Sequence, residues 1–391
     1  MKVPFRDHHI LEFLNLFEGS SKPLDLALSD YLKNHRSIGA HDRRMIGETL
    51  YGMVRWKSLI DYFCPSGDPL SRLSRYRSLS FELCLNDPSI PEPARLGVNE
   101  FLYNRLKEAY GIDQARSICR VLNTSAPTTV RANLIKTTRE ELLKIFQEKF
   151  EAFPCKDAEA GIQLKKREPL FSLPEFKAGF FEVQDEGSQR VASLVQAKPG
   201  DLIVDYCSGS GGKTLAFAPQ MKGRGQIYLH DVRVRALQEA RQRLKRAGIQ
   251  NAQCLEPGHP QFKALAQKCD WVLADVPCSG TGTLRRNPDA KWKIDGAMLD
   301  RLTALQREIV KEALQYLKPG GRLVYATCSL LPEENQRQAG YFLAAHSLEM
   351  IGDPLFLLPE ERGADGFFAA VFKKKKGSDT INTTLPPAEH A

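Results

Sequence analysis

The sequence predicts an α/β protein: a doubly wound parallel sheet preceded by an all-helical domain. Three observations carry that prediction. From Lys198 onward, short apolar runs alternate with amphipathic helical stretches, the rhythm of successive βα units. Residues 1–125 repeat apolar positions at three- and four-residue spacing and hold no alternating Val/Ile/Thr strand. Residues 126–190 change character, with short strand-like runs around one helix.

Within residues 1–125, helices are expected at "HHILEFLNLFEG", "PLDLALSDYLKNH", "GAHDRRMIGETLYGMVRWKSLIDYF", "ARLGVNEFLYNRLKEAYG" and "DQARSICRVLN". Asp42 is placed to cap the third, and the prolines from Pro65 to Pro93 mark a connection. Residues 126–190 read as a small α+β linker domain. It has strands at "TTVRANLI", "GIQLKK" and "FFEVQD", a Thr/Glu-capped helix at "TREELLKIFQEKF", and a helix at "EGSQRVASLVQA" leading onward. Residues 191–376 supply strands "DLIVDYC", "GQIYLHD", "CDWVLADVP", "GRLVYATCS" and "FFAAVF". The helices "RVRALQEARQRLKRAG", "LTALQREIVKEALQYLKPG" and "PEENQRQAGYFLAAH" lie between them. Residues 377–391 read as a disordered tail.

The chain of 391 residues has a formal net charge of +8, compatible with a polyanionic partner without requiring one. No run of 18 apolar residues exists, and "MKVPFRDHHI" lacks the apolar stretch of a signal peptide, so a cytoplasmic protein is expected. The nine cysteines form no CxxC pair and do not resemble a disulfide scaffold. His8 and His9 are adjacent, but no Cys/His set follows at zinc-site spacing, so no metal is expected.

"DYCSGSGGKT", from Asp205 to Thr214, follows the first strand of the sheet. It invites a triphosphate-loop reading, but the glycine that pattern needs five residues before Gly212 is Cys207. The dinucleotide pattern G-x-G-x-x-G fails as well. A small adenosine-bearing ligand fits better, lying against Cys207, Ser208, Gly209, Ser210, Gly211 and Gly212. Asp231 ends the second strand, where a carboxylate reaches ribose hydroxyls or else caps the next helix; Arg235 on that helix is grouped with it. Lys213 either holds the loop and faces the ligand, or faces solvent.

Asp275, Pro277, Cys278 and Cys328 fall at carboxyl ends of strands, where open α/β sheets bind ligands. Two cysteines in tight polar loops can then lie near one another, and neighbouring cations can favour a thiolate. Asp275 could instead cap a turn. "RRNPDAKWK" sets Arg285, Arg286, Lys291 and Lys293 after the first cysteine loop, either to hold phosphates or as a solvated basic loop; Trp292 stacks or packs.

"DYCSGSGGKT", "DVPCSGTGTLRRNPDAKW", "YATCSLLPEENQRQ" and "DGFFAAVF", in that order, make residues 198–372 closely resemble the RsmB/NSUN family of RNA (cytosine-5) methyltransferases. "VRANLIKTTREELLKIF" resembles that family's small extension to the core. Residues 1–125, through "GAHDRRMIGETLYGMVRW", resemble the NusB-like RNA-binding domain of its bacterial rRNA branch. The resemblance implies a Rossmann-like class I core binding S-adenosyl-L-methionine, and an RNA partner, rRNA or a ribosomal subunit; a monomer is expected because the RNA can supply the extra surface and no coiled coil is evident. It implies that Cys328 attacks cytosine C6, Cys278 serves release, Asp275 meets N3 and the exocyclic amine, Lys213 approaches the cysteines, and Pro277 shapes the loop. Two departures stand out. "NAQCLEPGHPQF" lacks the family's usual third cofactor element, with Glu256 poorly placed as a substitute, and Tyr206 replaces a smaller residue. Alternatives from the same residues are a tRNA (cytosine-5) methyltransferase or a catalytically silent assembly factor. A DNA enzyme would leave Cys328 without a task.

Overall fold

The computed structural model describes residues 4–65 and 67–376. The tail expected at 377–391 lies outside the described residues. The chain forms two compact units: one runs to Ser125 and includes Thr283–Met298, and the other comprises 126–282 and the chain from Leu299.

The first unit is helical. Its described helices are α1 (Phe5–Phe17), α2 (Leu24–Asn34), α3 (Ala40–Arg55), α4 (Lys57–Phe63), α5 (Pro69–Ser78), α6 (Phe81–Asn86), α7 (Glu92–Arg95), α8 (Glu100–Tyr110) and α9 (Ile112–Leu122). Ile10, Phe13, Leu24, Leu28, Ile46 and Leu50 pack into one core, the apolar faces that the helical spacing sets on one side. The expected long third helix divides at Trp56, whose backbone leaves the α region as its ring packs on Phe81 at 4.9 Å. Asp42 does not cap α3. Gly39 is the cap residue, and Asp42 sits in the first turn, accepting from Arg6 at 2.6 Å.

Thr283–Met298 was expected in the catalytic domain but packs with this helical unit. The reason is a buried polar anchor. Lys291 is wholly buried and donates to the carbonyls of Gly97 (3.0 Å) and Arg55 (3.1 Å) and to Asn123 Oδ1 (2.6 Å). Trp292 donates its indole N–H to Val54 O at 2.7 Å. Arg285 is buried as well.

In the second unit, residues 126–190 build an antiparallel sheet of order β2-β3-β1-β4. Its strands are β1 (Thr128–Ala132), β2 (Ala152–Pro154), β3 (Gly161–Leu164) and β4 (Phe181–Val183). Helix α10 (Arg139–Gln147) packs on it, opened by the expected box: Thr138 Oγ1 accepts from Glu141 N while Glu141 Oε2 accepts from Thr138 N. The short helix α11 (Pro174–Lys177) precedes β4.

The larger sheet has order β10-β12-β9-β8-β5-β6-β7, with β11 on β12. Its parallel strands are β5 (Leu202–Asp205), β6 (Gln226–His230), β7 (Ala252–Leu255), β8 (Cys269–Asp275) and β9 (Leu317–Thr327). The antiparallel edge is β10 (Leu348–Met350), β11 (Leu355–Leu357) and β12 (Phe367–Lys374). Helices α12 (Glu186–Ser193), α13 (Gly212–Phe217), α14 (Val234–Ala247), α15 (Gln261–Ala264), α16 (Gly296–Ala313) and α17 (Gln336–Ala345) complete the fold. Two apolar clusters pack on this sheet; one holds Val272 and Tyr325, the other Ile203 and Leu229. Strand order reverses direction at β5, between β6 and β8, the switch point where such sheets open a ligand crevice. This is the Rossmann-like order of a class I methyltransferase core.

Candidate active site

The register brings the predicted residues to one end of the sheet. Asp205 closes β5, Asp231 follows β6, Asp275 closes β8 opposite Ala326 of β9, and Cys328 follows β9. Adjacent parallel strands thus release two loops side by side. Cys278 Sγ lies 3.3 Å from Cys328 Sγ, and the Cys328 amide donates toward Cys278 Sγ at 3.3 Å. Both are free thiols and neither is fully buried. The contact to Cys328, then burial, then Glu334 push the Cys278 thiol well above its ordinary range. Cys278 therefore keeps its proton, and its S–H is placed to donate to the Cys328 sulfur.

Lys213 is buried and ion-paired with Asp275. Burial acts to strip its proton; the charge and hydrogen bond of Asp275, with Cys328 beyond, outweigh burial and hold the ammonium. A cation thus sits in the field of the Cys328 sulfur, the setting that favours a thiolate. Phe367 lies below the same ammonium at 5.9 Å.

Beneath the two cysteine loops is a polar network that sequence reading missed. Glu334, wholly buried, accepts from Ser279 N (2.8 Å), Ser279 Oγ and Gln306 Nε2 (2.9 Å). Gln306 also donates to Pro277 O at 3.0 Å. Thr281 Oγ1 accepts from Leu330 N at 2.7 Å, and Asn335 bonds both Thr327 Oγ1 and Ser329 O. The Cys278 loop and the Cys328 loop are thereby clamped to one carboxylate. Gly282 approaches so closely that a Cβ there would lie 2.1 Å from Gly366 O. "PEEN" was expected in a helix; it forms a turn before α17 because Glu334 and Asn335 point into this network.

The glycine turn is held from below. Gly212 O accepts from Arg131 Nη1 (3.0 Å) and Gln184 Nε2 (3.2 Å), both from the small α/β region. Ser210 accepts from Arg243 through Oγ (2.6 Å) and its carbonyl (3.0 Å). Gly211 takes φ +77° and opens α13. Ser208 N donates to His230 O, and Cys207 is half-buried, its thiol pushed up by burial and then by Asp275. Asp231 accepts from Gly209 N (2.9 Å) and is forked by Arg233, whose guanidinium overcomes the burial that opposes ionisation. Arg235 stands exposed on the first turn of α14; the arginine on Asp231 is Arg233.

Asp205 is buried, with Oδ2 bonded by Thr214 Oγ1 at 2.7 Å and Oδ1 without a partner. Burial pushes its carboxyl up to about 7 against the Thr214 bond, and Asp275 and Asp231 add to the rise. Three carboxylates around a glycine turn, one with an orphaned oxygen, suit a ligand carrying both a positive charge and hydrogen-bond donors. Val232, highly exposed beside Asp231, offers an apolar face that sequence reading did not single out. Tyr206 stacks on His230 at 4.6 Å and donates to Glu312 at 2.8 Å, a packing substitution. Glu256 pairs with Arg241 at 3.2 Å. The basic loop does not present a row of free cations: Arg285 and Lys291 are buried, and Lys293 contacts Asp289 at 3.1 Å. Among the described residues no helix is long and apolar enough to cross a membrane.

Residues 192–373 match the family model "16S rRNA methyltransferase RsmB/F", and residues 98–170 match the RsmF/B-like ferredoxin-like domain. The ribosomal RNA small subunit methyltransferase B of Vibrio cholerae is 34% identical over 293 residues, 73% of this chain and 67% of that one. Its counterpart in Photorhabdus laumondii is 34% identical over 71% of this chain and 66% of its own length, so the chain spans just under two thirds of that relative. The crystal structure of a methyltransferase homolog from Pyrococcus horikoshii superposes with TM-score 0.63 at 28% identity, over 74% of this chain and 99% of that one. Paired cysteine loops, a glycine turn at the sheet's switch point and these matches agree, and the chain belongs to the RsmB/F family of 16S rRNA methyltransferases.

Proposed function

We propose that this protein methylates C5 of a cytosine in small-subunit rRNA, using S-adenosylmethionine. The observation that carries the reading is the 3.3 Å approach of Cys278 and Cys328 beside the Lys213–Asp275 pair. Cytosine C5 is a poor nucleophile because its electrons belong to an aromatic ring. Cys328, as the thiolate, forms a bond to C6, and the displaced electron pair makes C5 enamine-like. Asp275 accepts from the exocyclic amine, and Lys213 offsets charge that grows on the ring as sulfur adds. S-adenosylmethionine, when bound, supplies a methyl group on a cationic sulfur, the electrophile that such a carbon takes. The glycine turn from Cys207 to Lys213, the carboxylates of Asp205 and Asp231, and the face of Val232 would hold it. Transfer of the C5 proton to solvent water then returns electrons to the ring and expels Cys328 from C6 as the thiolate. Cys278 keeps a proton within reach of the leaving sulfur, which supports a role in release. Pro277 shapes the loop that receives the unstacked base.

The relatives' printed names support rRNA over tRNA, and a cytoplasmic monomer is the setting proposed. The test uses Cys278→Ala with total RNA, S-adenosylmethionine and a denaturing gel. A denaturation-resistant protein–RNA adduct at one rRNA cytosine, lost in Cys278→Ala/Cys328→Ala, is the expected result. Methyl transfer by Cys328→Ala at the unsubstituted rate would refute the assignment.

A further inference from the structure

The helical unit gathers histidines that the sequence separates. Helix α1 places His8, His9 and Glu12 on neighbouring turns, and His35 directly follows the last residue of α2. Around Glu12 Oε2 stand His9 Nδ1 at 3.6 Å, His35 Nε2 at 3.8 Å and His8 Nε2 at 3.9 Å. One ligating atom from each of His9, Glu12 and His35 lies within 4.8 Å of the others. We propose that His9, Glu12 and His35 form a binding site for a divalent transition-metal ion of the zinc class, pinning α1 to the end of α2.

Proton placement supports this. His35 Nδ1 lies 2.8 Å from Tyr31 O, a carbonyl that only accepts, so Nδ1 carries the hydrogen. Nε2 is the ring nitrogen that faces Glu12, and a bound metal would take its lone pair. A ring N–H fixed on a backbone carbonyl is the outer support that ligating histidines use. Tyr31 stacks on His35 at 4.1 Å, donates to Glu12 Oε2 at 2.5 Å, and its oxygen lies 2.7 Å from His9 Nδ1. With that proton on Glu12, the Tyr31 oxygen accepts from His9 Nδ1–H, the hydrogen a metal would displace. His9 is buried beside Glu12, so its ring forms the inner wall of the cluster. Zn–N and Zn–O bonds of about 2.0–2.1 Å set tetrahedral ligand atoms about 3.4 Å apart. The two separations from Glu12, 3.6 and 3.8 Å, lie close to that, and all three ligand atoms fall within 4.8 Å. Glu12 and His35 are partly exposed, which leaves an entry path, and His8 or water would fill the fourth position. Imidazole with carboxylate selects zinc-like ions over magnesium or calcium. The sequence reading expected no metal because it sought Cys/His spacing along the chain; here His9 and His35 stand 26 positions apart and the helix pairing brings them together.

The test is titration of the metal-stripped full chain with Co2+ and Zn2+, in a Cys278→Ala/Cys328→Ala background that removes the paired thiols. Expected is one bound ion per chain, a cobalt visible spectrum without thiolate charge transfer, and a rise in unfolding temperature with Zn2+. His35→Ala and Glu12→Gln should each weaken binding by at least ~10-fold. Metal-free melting of both variants establishes that they fold; Glu12→Gln keeps the side chain's size should His35→Ala be unstable. Failure to bind Zn2+ or Co2+ stoichiometrically, or binding unchanged in both variants, overturns the site.

Discussion

Replacing Asp205 by asparagine tests the electrostatics of the cofactor end directly. Asp205 is almost wholly buried and its carboxyl is raised from 3.8 to about 7, first by burial and then, against the Thr214 bond, by Asp275 and Asp231. Below the unfolded value both states hold the proton, and the group contributes its full stability. Between the two values the folded chain binds a proton that the unfolded chain has lost, so stability falls as pH rises. Across most of that window the slope is about −1.4 kcal/mol per pH unit from this one group. Integrated over roughly three units, the ionised carboxylate costs the folded state at most about 4 kcal/mol above pH 7. The amide that replaces it in Asp205→Asn does not titrate. The variant's stability relative to the parent should therefore climb steadily from pH 5 to pH 7 and level off above it. Urea unfolding followed by tryptophan fluorescence reads this, because Trp271 on β8 pairs with Ile203, on the same strand as Asp205. Affinity for S-adenosylmethionine should fall at the same time, since the orphaned Oδ1 and its charge are lost. A parent and variant with the same stability slope from pH 5 to pH 7 would refute the reasoning, whatever their absolute stabilities.

Three further substitutions probe other supports. Glu334→Gln replaces one acceptor oxygen by a donor that must face Ser279 or Gln306, so it should cost about 2 kcal/mol and slow Cys328 adduct formation; urea unfolding and a gel-based adduct time course check both. Arg131→Met removes the guanidinium from Gly212 O and Gln184 Oε1 and should weaken S-adenosylmethionine binding roughly tenfold, about 1.4 kcal/mol by calorimetry, with far-UV circular dichroism unchanged. Lys291→Met leaves three acceptors unmatched and should destabilise the helical unit by about 2–3 kcal/mol in thermal unfolding. RNA affinity, measured by filter binding below the transition, should stay within about twofold, because a side chain wholly buried in the helical unit meets no phosphate and releases no counterions.

The parts of the site legible in the sequence are those written in consecutive residues at strand ends. The glycine turn, Asp231, Asp275 and the two cysteine loops were readable because a strand fixes where its last residue points and the βα rhythm fixes which end of the sheet that is. Chemical type alone misled at "RRNPDAKWK": a lysine reads as a phosphate ligand, yet Lys291 is buried, and burial depends on the acceptors that α3 and the loop at Gly97 present. The strands β2, β7, β10 and β11 escaped notice, although β3, β4 and β5, equally short, were read. Asp42 looked like a cap because capping types cluster at helix starts, but Arg6 on α1 claims it.

The support for the thiols was illegible for a deeper reason. Glu334 belongs to the Cys328 segment, Ser279 to the Cys278 segment and Gln306 to α16, and no one of them signals a role until all three meet. Yet the pair of sulfurs depends on them. Two loops leaving adjacent strands tend to splay unless something ties them, and an S···S approach of 3.3 Å leaves little room for drift. A neutral tie could hold the loops. A carboxylate does more, because Glu334 adds to the influences that keep the proton on Cys278. One buried side chain therefore helps tie the two loops and adds, after the Cys328 contact and burial, to what keeps Cys278 protonated, so Glu334→Gln should alter the pH profile of adduct formation as well as its rate. A variant slowed equally at every pH would assign Glu334 to geometry alone.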